Sequence, residues 1–133
     1  MILVDTNVVV DILGNDPDWE SWSSSALDRA FAADNVAIND IIYAELSAGF
    51  STVEQLENAL DNLRLALVPL PRGALFLAGQ AFRRYRSLGG GKANVLSDFF
   101  IGAHAAVSVA TLLTRDPGRI RTYFPTVTLI CPP

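Results

Sequence analysis

The sequence has one cysteine and one histidine among its 133 residues. The single cysteine, Cys131, excludes an intramolecular disulfide framework. The shortage of both residue types also excludes a cysteine and histidine cluster of the kind that binds zinc. The histidine, His104, follows Asp98 by six positions on a predicted helix, which puts the two side chains on nearly opposite sides. We therefore expect His104 to be structural, and a metal site in this chain would need oxygen ligands.

Long apolar runs are also missing. Half of the residues are hydrophobic, yet no run approaches the roughly 18 residues that cross a bilayer. Asp5 interrupts the apolar N-terminal run and no basic segment precedes it, so we do not expect a signal peptide. These features predict a cytoplasmic protein without a membrane partner. The length suits one domain, which is predicted to cover residues 1–133.

Basic residues are scarce in the first part of the chain. Residues 1–61 hold twelve of the fourteen acids and one of the ten bases, whereas the net charge of the whole chain is only −4. The acidic total argues against a simple nucleic-acid-binding module. The uneven distribution indicates either an acidic partner for residues 62–133, such as nucleic acid, or attraction between the two parts of the chain.

Short apolar segments alternate with helical patterns along the chain. The run Ile2–Val4 has no polar alternation, which is typical of a strand buried on both faces of a parallel sheet. Further strands or extended segments are predicted at 35–38, 68–71, 110–113 and 127–130. Helices are predicted at 7–13, 17–33, 41–46, 53–67, 73–87 and 97–106, with a short helix before residue 123. This alternation predicts an α/β fold with three layers and a central, mainly parallel sheet.

Carboxylates follow two of the predicted strands. Asp5 comes directly after the first strand, and Asp116 comes shortly after the strand at 110–113. The carboxyl ends of parallel strands share one edge, which is where ligands bind in open α/β sheets. Asp98 begins one predicted helix, and Glu45 lies one turn inside another. The sequence thus allows four carboxylates to meet at this edge.

These acids have two interpretations. Helix capping accounts for any one of them, Asp5 included, but less easily for Glu45, which lies inside its helix among apolar residues. Crowded carboxylates repel one another unless they are protonated, paired or bound to metal. Carboxylate oxygens suit Mg²⁺ or Mn²⁺, and such ions activate water and stabilise the leaving oxygen of a phosphodiester. The residues therefore favour a metal-dependent nuclease.

Four segments, in order, carry a resemblance to a known family: Leu3-Val4-Asp5-Thr6-Asn7, Ala44-Glu45-Leu46 with Gly49, the segment 94–105, and Leu113-Thr114-Arg115-Asp116 with 123–125. Over essentially its whole length the chain resembles a PIN domain of the bacterial VapC toxin type. The resemblance implies an α/β/α sandwich and a ribonuclease that depends on Mg²⁺ or Mn²⁺. It also implies the toxin of a type II toxin–antitoxin system, usually a homodimer, held inactive by a VapB-type antitoxin encoded beside it.

The resemblance also assigns roles to particular residues. The catalytic, metal-binding positions are four acids: Asp5, Glu45, Asp98 and Asp116. Supporting positions lie beside them: Thr6, Asn7 and Thr114. Arg115 either holds a phosphate of the RNA or pairs with an acid of the site. Other cations are expected to follow the RNA backbone: Arg83, Arg84, Arg86, Lys92 and Arg119. The chain departs from many PIN domains at Gly118, where those domains carry a second acid, so a second metal ion would be weakly held.

Two other functions remain open from the sequence. A phosphatase of the haloacid-dehalogenase type uses an aspartate nucleophile at a strand end, a position that Asp5 could fill. That chemistry needs a second acid two residues later, where this chain has Asn7. Alternatively, the chain is a metal- or RNA-binding regulatory module without catalytic turnover.

Overall fold

The structure is a computed structural model that describes residues 1–91 and 95–133. Strands and helices alternate along these residues. The strands are β1 (Ile2–Val4), β2 (Val36–Asn39), β3 (Ala66–Val68), β4 (Thr111–Leu113) and β5 (Leu129–Ile130). The helices are α1 (Thr6–Leu13), α2 (Glu20–Ala33), α3 (Asp40–Ser47), α4 (Val53–Asn62), α5 (Arg72–Ser87), α6 (Leu96–Val107) and α7 (Gly118–Tyr123). No helix in the described part of the chain is long and apolar enough to cross a membrane.

The strands form one sheet in the order β3-β2-β1-β4-β5, and every neighbouring pair is parallel. The first strand lies at the centre, and its three residues are buried, with Leu3 and Val4 fully enclosed. This burial explains why Ile2–Val4 has no polar alternation, since neither face of a central strand reaches water. The helices flank the sheet, so the predicted α/β/α sandwich is confirmed.

The pairing of β1 with β4 positions the site. Val4 of β1 lies opposite Leu113 of β4, and the backbone N–H of Asp5 donates to the carbonyl of Leu113 at 2.8 Å. The residue that follows β1 and the residue that follows β4 are therefore neighbours at the carboxyl edge of the sheet. As a result, Asp5 and Thr114 meet although 109 positions separate them in sequence.

The predicted helix over 53–67 was wrong at its C-terminal end. The helix stops at Asn62, and Arg64 adopts a left-handed conformation with φ 57°. The chain then turns into β3, which pairs with β2. The pattern misled because Leu67 has helical spacing from Leu60, yet Leu67 is exposed and Leu65 is the residue that enters the core.

The inward face of α5 is formed mainly by small residues. Leu75 is exposed, whereas Ala74 and Ala78 are fully buried. Phe82 completes this face, with its ring 5.6 Å from that of Phe99 on α6. Small residues bring α5 close to α6, the helix that carries Asp98.

A buried polar contact ties α6 to the start of α3. The Nδ1 atom of His104 lies 3.1 Å from the amide nitrogen of Asn39. Asn39 in turn caps α3, because its side-chain oxygen accepts from the N–H of Ile42 at 3.0 Å. His104 is therefore structural, as predicted, and burial lowers its pKa. The contact fixes the helix of Glu45 against the helix of Asp98.

Candidate active site

Asp5 is a buried carboxylate at the carboxyl end of the central strand. It caps α1, with its Oδ1 atom accepting from the N–H of Thr6 at 2.7 Å. Its Oδ2 atom accepts from the hydroxyl of Thr114 at 2.8 Å. Helix capping by Asp5 is therefore confirmed, and the same carboxylate lines a cavity with other acids, where metal binding stays a prediction.

The pKa of Asp5 is raised from 3.8 to about 6. Burial is the largest cause, because removing water disfavours the charged form, and the nearby negative charges of Asp98 and Glu45 raise the pKa further. Hydrogen bonds from Thr114 and Thr6 act in the opposite direction. Charge–charge repulsion of this kind requires the carboxylates to be close, and a bound cation would relieve it.

The loop after β4 is held to α1 by the side chain of Asn7. The amide nitrogen of Asn7 donates to Asp5 at 3.4 Å and to the hydroxyl of Thr114 at 3.3 Å. Its oxygen accepts from the backbone N–H of Arg115 at 3.2 Å. The hydroxyl of Thr114 also accepts from the N–H of Asp116 at 3.1 Å. Asn7 and Thr114 thus set the position of Asp116 relative to Asp5.

Glu45 is exposed at the rim of the site and is held by two hydroxyl groups. The hydroxyl of Thr6 donates to its Oε1 atom at 2.6 Å, and the hydroxyl of Ser97 donates to its Oε2 atom at 3.2 Å. These bonds join the first turns of α1 and α6 to α3. The role of Ser97 as a partner of Glu45 was not predicted, although its position next to Asp98 places it at the site.

Asp98 is paired with a cation from α7. The Nη1 atom of Arg119 lies 2.5 Å from the Oδ2 atom of Asp98. The guanidinium group also lies over the ring of Tyr85, 5.7 Å from its centroid. The sequence assigned Arg119 only to the RNA backbone, so the structure adds a contact inside the acidic cluster.

The acids surround two adjoining spaces at the sheet edge. A cavity of about 110 Å³ is lined by Asp5, Asp98 and Asp116, together with Arg119 and two isoleucines. A wider opening of about 330 Å³ is lined by Val10 and by seven of the eight predicted site residues. The eighth, Thr114, is fully buried beneath Asp5. All eight residues are thus brought together, and their roles in catalysis stay predictions.

The donor chemistry of this cluster fits a hard divalent cation. Three carboxylates line one cavity, and the buried carboxylate, Asp5, is destabilised in its charged form. In the described ranges 1–91 and 95–133, however, no three Cys, His, Asp or Glu side chains are arranged to hold one ion as they stand. Asp98 is turned towards Arg119, and Glu45 is turned towards its two hydroxyl partners. Binding of a cation would therefore require at least Asp98 to change its partner.

Arg115 is paired with Asp11, an acid that was not among the predicted site residues. Its Nε and Nη2 atoms donate to the two carboxylate oxygens of Asp11 at 2.8 and 2.9 Å. Ser23 adds a hydrogen bond to Asp11 at 2.7 Å, and the ring of Trp19 lies 5.3 Å from the guanidinium carbon. Burial alone would raise the pKa of Asp11, but the bonds from Arg115 and Ser23 outweigh it and lower that pKa.

Of the two alternatives for Arg115, pairing with one of the four site acids is wrong, because its partner is Asp11 on α1. A contact between Arg115 and a phosphate of the RNA stays a prediction. One signal could have found the pair of Arg115 with Asp11. Asp11 follows Asn7 by four residues, so both lie on the face of α1 that turns towards the site. Lys92, and Asn94 at the start of the segment 94–105, lie outside the described residues.

The fold and the site define a class of protein: a three-layer α/β/α sandwich with carboxylates gathered at the carboxyl edge of a parallel sheet. Comparison with protein families makes this class specific, because the PIN domain family matches residues 2–125. The chain belongs to the PIN-domain family, whose members are nucleases. The predicted resemblance to PIN domains is confirmed.

Solved structures show the same fold. VapBC2 from Rickettsia felis, bound to a DNA fragment from its promoter, matches with 25% identity and a TM-score of 0.76, covering 100% of both chains. DNA-bound VapBC from Salmonella typhimurium matches with 18% identity and a TM-score of 0.72, covering 98% of this chain and 96% of that chain. A toxin–antitoxin complex from Klebsiella pneumoniae matches with 21% identity and a TM-score of 0.69, covering 96% of each. A search of curated proteins finds no match.

Proposed function

We propose that the chain is the toxin component of a type II toxin–antitoxin system and that it cleaves RNA as a Mg²⁺- or Mn²⁺-dependent endoribonuclease. One observation carries the proposal: Asp5, Asp98 and Asp116, from three separate segments, line one cavity at the carboxyl edge of the sheet. The likeness to chains from VapBC complexes supports the toxin assignment.

The four acids have two different roles at the site. Asp5, Asp98 and Asp116 hold the cation, and Glu45 at the rim binds it or orients the attacking water. When bound, the cation supplies a lowered pKa for the attacking water and stabilises the leaving oxygen. Cleavage leaves a 5′-phosphate and a 3′-hydroxyl. Asp116 is followed by Gly118 rather than by a further acid, so this set of ligands favours one strongly held ion.

Basic side chains near the site hold the RNA through its phosphates. Arg84 and Arg86 lie in the last turn of α5, where their charges also favour the C-terminal end of the helix. Arg84 lies over the ring of Tyr123, 5.6 Å from its centroid, which gives α5 a second contact with α7. Arg83 precedes these residues on the same exposed turn. Phosphate contacts of this kind give affinity without base specificity.

The partners of the chain follow from the same assignment. We infer that a VapB-type antitoxin, encoded beside the gene, holds the chain inactive, and that the active chain is a cytoplasmic homodimer. Co-expression of the adjacent reading frame should abolish the RNA cleavage of the purified complex, and its removal by proteolysis should restore it. A complex that cleaves RNA as fast as the isolated chain contradicts this part of the proposal.

The family favours a nuclease over a phosphatase of the haloacid-dehalogenase type. At the position where that phosphatase needs its second acid, Asn7 instead donates its amide to Asp5 and Thr114. By donating these two hydrogen bonds, the amide of Asn7 holds the carboxylate of Asp5 in place as a ligand for the metal.

Cleavage of labelled RNA by the purified chain tests the proposed activity. Cleavage should require Mn²⁺ or Mg²⁺, stop in EDTA, and be lost in Asp98→Asn. The matched control is Asp34→Asn, which removes an exposed acid whose described contacts are with the chain's own N-terminus and the N–H of Asn35. Equal cleavage by Asp98→Asn and Asp34→Asn contradicts the nuclease assignment. RNA binding without any cleavage, in a chain saturated with Mn²⁺, would favour the non-catalytic module instead.

A further inference from the structure

Arg119 is the cation that the chain itself supplies to its acidic cavity. It comes from α7 and lines the cavity together with Asp5, Asp98 and Asp116. Its Nη1 atom lies 2.5 Å from Asp98, so one of the three cavity carboxylates is already neutralised. No site role beyond an RNA backbone contact follows for this residue from the sequence.

We propose that Arg119 competes with the divalent cation for Asp98 and so sets the concentration of metal at which the site fills. This inference rests on the proposed function, since it assumes that Asp98 is a metal ligand. A carboxylate oxygen that accepts a charge-assisted hydrogen bond from a guanidinium group has its negative charge compensated. A divalent cation that binds the same oxygen has to break the pair of Asp98 with Arg119 first. Arg119 therefore lowers the affinity of the site for the metal.

The geometry makes this competition reversible. The side chains of Arg119 and Asp98 are 33% and 40% exposed, so water screens their attraction and the pair is not locked in place. The ring of Tyr85 lies against the guanidinium group at 5.7 Å and offers a position that does not depend on Asp98. The arginine can therefore leave the carboxylate and keep a favourable contact at the edge of the cavity.

The pair of Asp98 with Arg119 also affects the other acids of the cavity before a metal ion binds. Asp5 is buried, and the charge of Asp98 works against its ionised form. Pairing Asp98 with Arg119 reduces that repulsion in the metal-free protein.

Binding of Mn²⁺, followed by the electron paramagnetic resonance signal of the free ion, tests the proposal without measuring activity. Arg119→Gln removes the charge and keeps most of the side chain. Arg121→Gln is the matched control, because Arg121 is exposed on the same helix and its contact is with Cys131. Both variants lower the total positive charge equally, so the difference between them isolates the contact with Asp98.

Arg119→Gln should bind Mn²⁺ about threefold to tenfold more tightly than Arg121→Gln, the range expected when a partly exposed ion pair no longer has to be broken. Arg119→Lys, which keeps a charge that can pair with Asp98, should stay near the wild-type affinity. Equal affinities for Arg119→Gln and Arg121→Gln, or weaker binding by Arg119→Gln, overturn the inference.

Asp98→Asn separates this inference from the proposed function. Mn²⁺ binding that is weakened by Asp98→Asn but unaffected by Arg119→Gln removes the inference and leaves the proposed metal site intact. Mn²⁺ binding that is the same in Asp98→Asn and wild type removes both.

Discussion

The hydroxyl of Thr114 donates a 2.8 Å hydrogen bond to the Oδ2 atom of Asp5, joining the residue after β4 to the residue after β1. Thr114 is fully enclosed, so this bond is shielded from water. It lowers the pKa of Asp5 and opposes the effect of burial, which raises that pKa. The pKa of Asp5 therefore depends on burial and, in the opposite direction, on Thr114, a residue that does not line the cavity.

Thr114→Val should raise the pKa of Asp5 above its value of about 6, because valine has the same shape but no hydroxyl. The acidic limb of the pH profile for RNA cleavage should move to higher pH. The variant should also lose about 1–3 kcal/mol of stability, since Asn7 and Asp116 lose their acceptor. Thr128→Val is the control, because Thr128 is exposed. An acidic limb at the wild-type pH in Thr114→Val would show that this hydrogen bond does not tune Asp5.

Ionisation of Asp5 should lower the free energy of unfolding of the metal-free protein as the pH rises from about 4 to about 6. Its pKa in the folded state is about 6 against 3.8 for the unfolded chain, so the folded state binds the extra proton in this interval. The full effect corresponds to about 3 kcal/mol. Asp11 does not interfere, because its lowered pKa acts only below this interval.

His104 changes the stability in the opposite direction. Burial lowers its pKa, so the stability that its neutral form contributes is lost as the pH falls below 6.5. The difference between wild type and Asp5→Asn isolates Asp5, because His104 is the same in both. In urea unfolding with EDTA, Asp5→Asn should gain stability relative to wild type between pH 4 and pH 7. A difference that does not change with pH would mean that Asp5 ionises normally.

Glu45→Gln should reduce RNA cleavage by a factor on the order of 10². Glutamine can still accept a hydrogen bond from Thr6 or Ser97, but it has no negative charge to bind the cation or to take a proton from water. Stability should change by less than about 0.5 kcal/mol, because the side chain is exposed. Single-turnover cleavage rates with saturating Mn²⁺ measure the effect, and Glu54→Gln, at an exposed position of α4, is the control. Rates for the two variants that agree within a factor of about two would exclude a catalytic role for Glu45.

The Asp11–Arg115 pair should stabilise the loop that carries Asp116. Asp11→Asn should cost roughly 2 kcal/mol, less than for a fully buried pair, because Arg115 is partly exposed. A double-mutant cycle of Asp11→Asn with Arg115→Met, measured by urea unfolding, should give a favourable coupling of about 1–2 kcal/mol. Additive effects of the two substitutions would show that the pair contributes no coupling energy.

The sequence predicts the central sheet well because its strands carry a strong local signal. β1 and β4 are apolar runs that end in polar residues, and both were placed within one residue of their observed bounds. The end of α4 and the start of β3 were missed, since Leu67 continues the helical spacing while Arg64 turns the chain. The turn leads into β3, and the pairing of β3 with β2 is not visible in any local pattern.

The site was predictable as a set of residues but not as a network of contacts. Three of the acids, Asp5, Asp98 and Asp116, stand after strands or at a helix start, which a parallel fold brings to one edge, and Glu45 joins them from inside α3. The pair of Arg119 with Asp98 spans 21 positions and depends on how α7 packs on α6, so spacing could not reveal it. Arg115 lies beside Asp116 in sequence, yet its side chain turns away to Asp11. Long side chains of this kind choose partners that only the packed structure brings within reach.

Mapping the 5′ ends of RNA fragments tests the central claim most directly. RNA is incubated with Mn²⁺ and either the wild-type chain or Asp5→Asn, and fragments that carry a 5′-phosphate are sequenced. The wild-type chain should create new 5′-phosphate ends that Asp5→Asn does not create. Identical end profiles for the two proteins would contradict the assignment of Asp5 to a metal-dependent ribonuclease site.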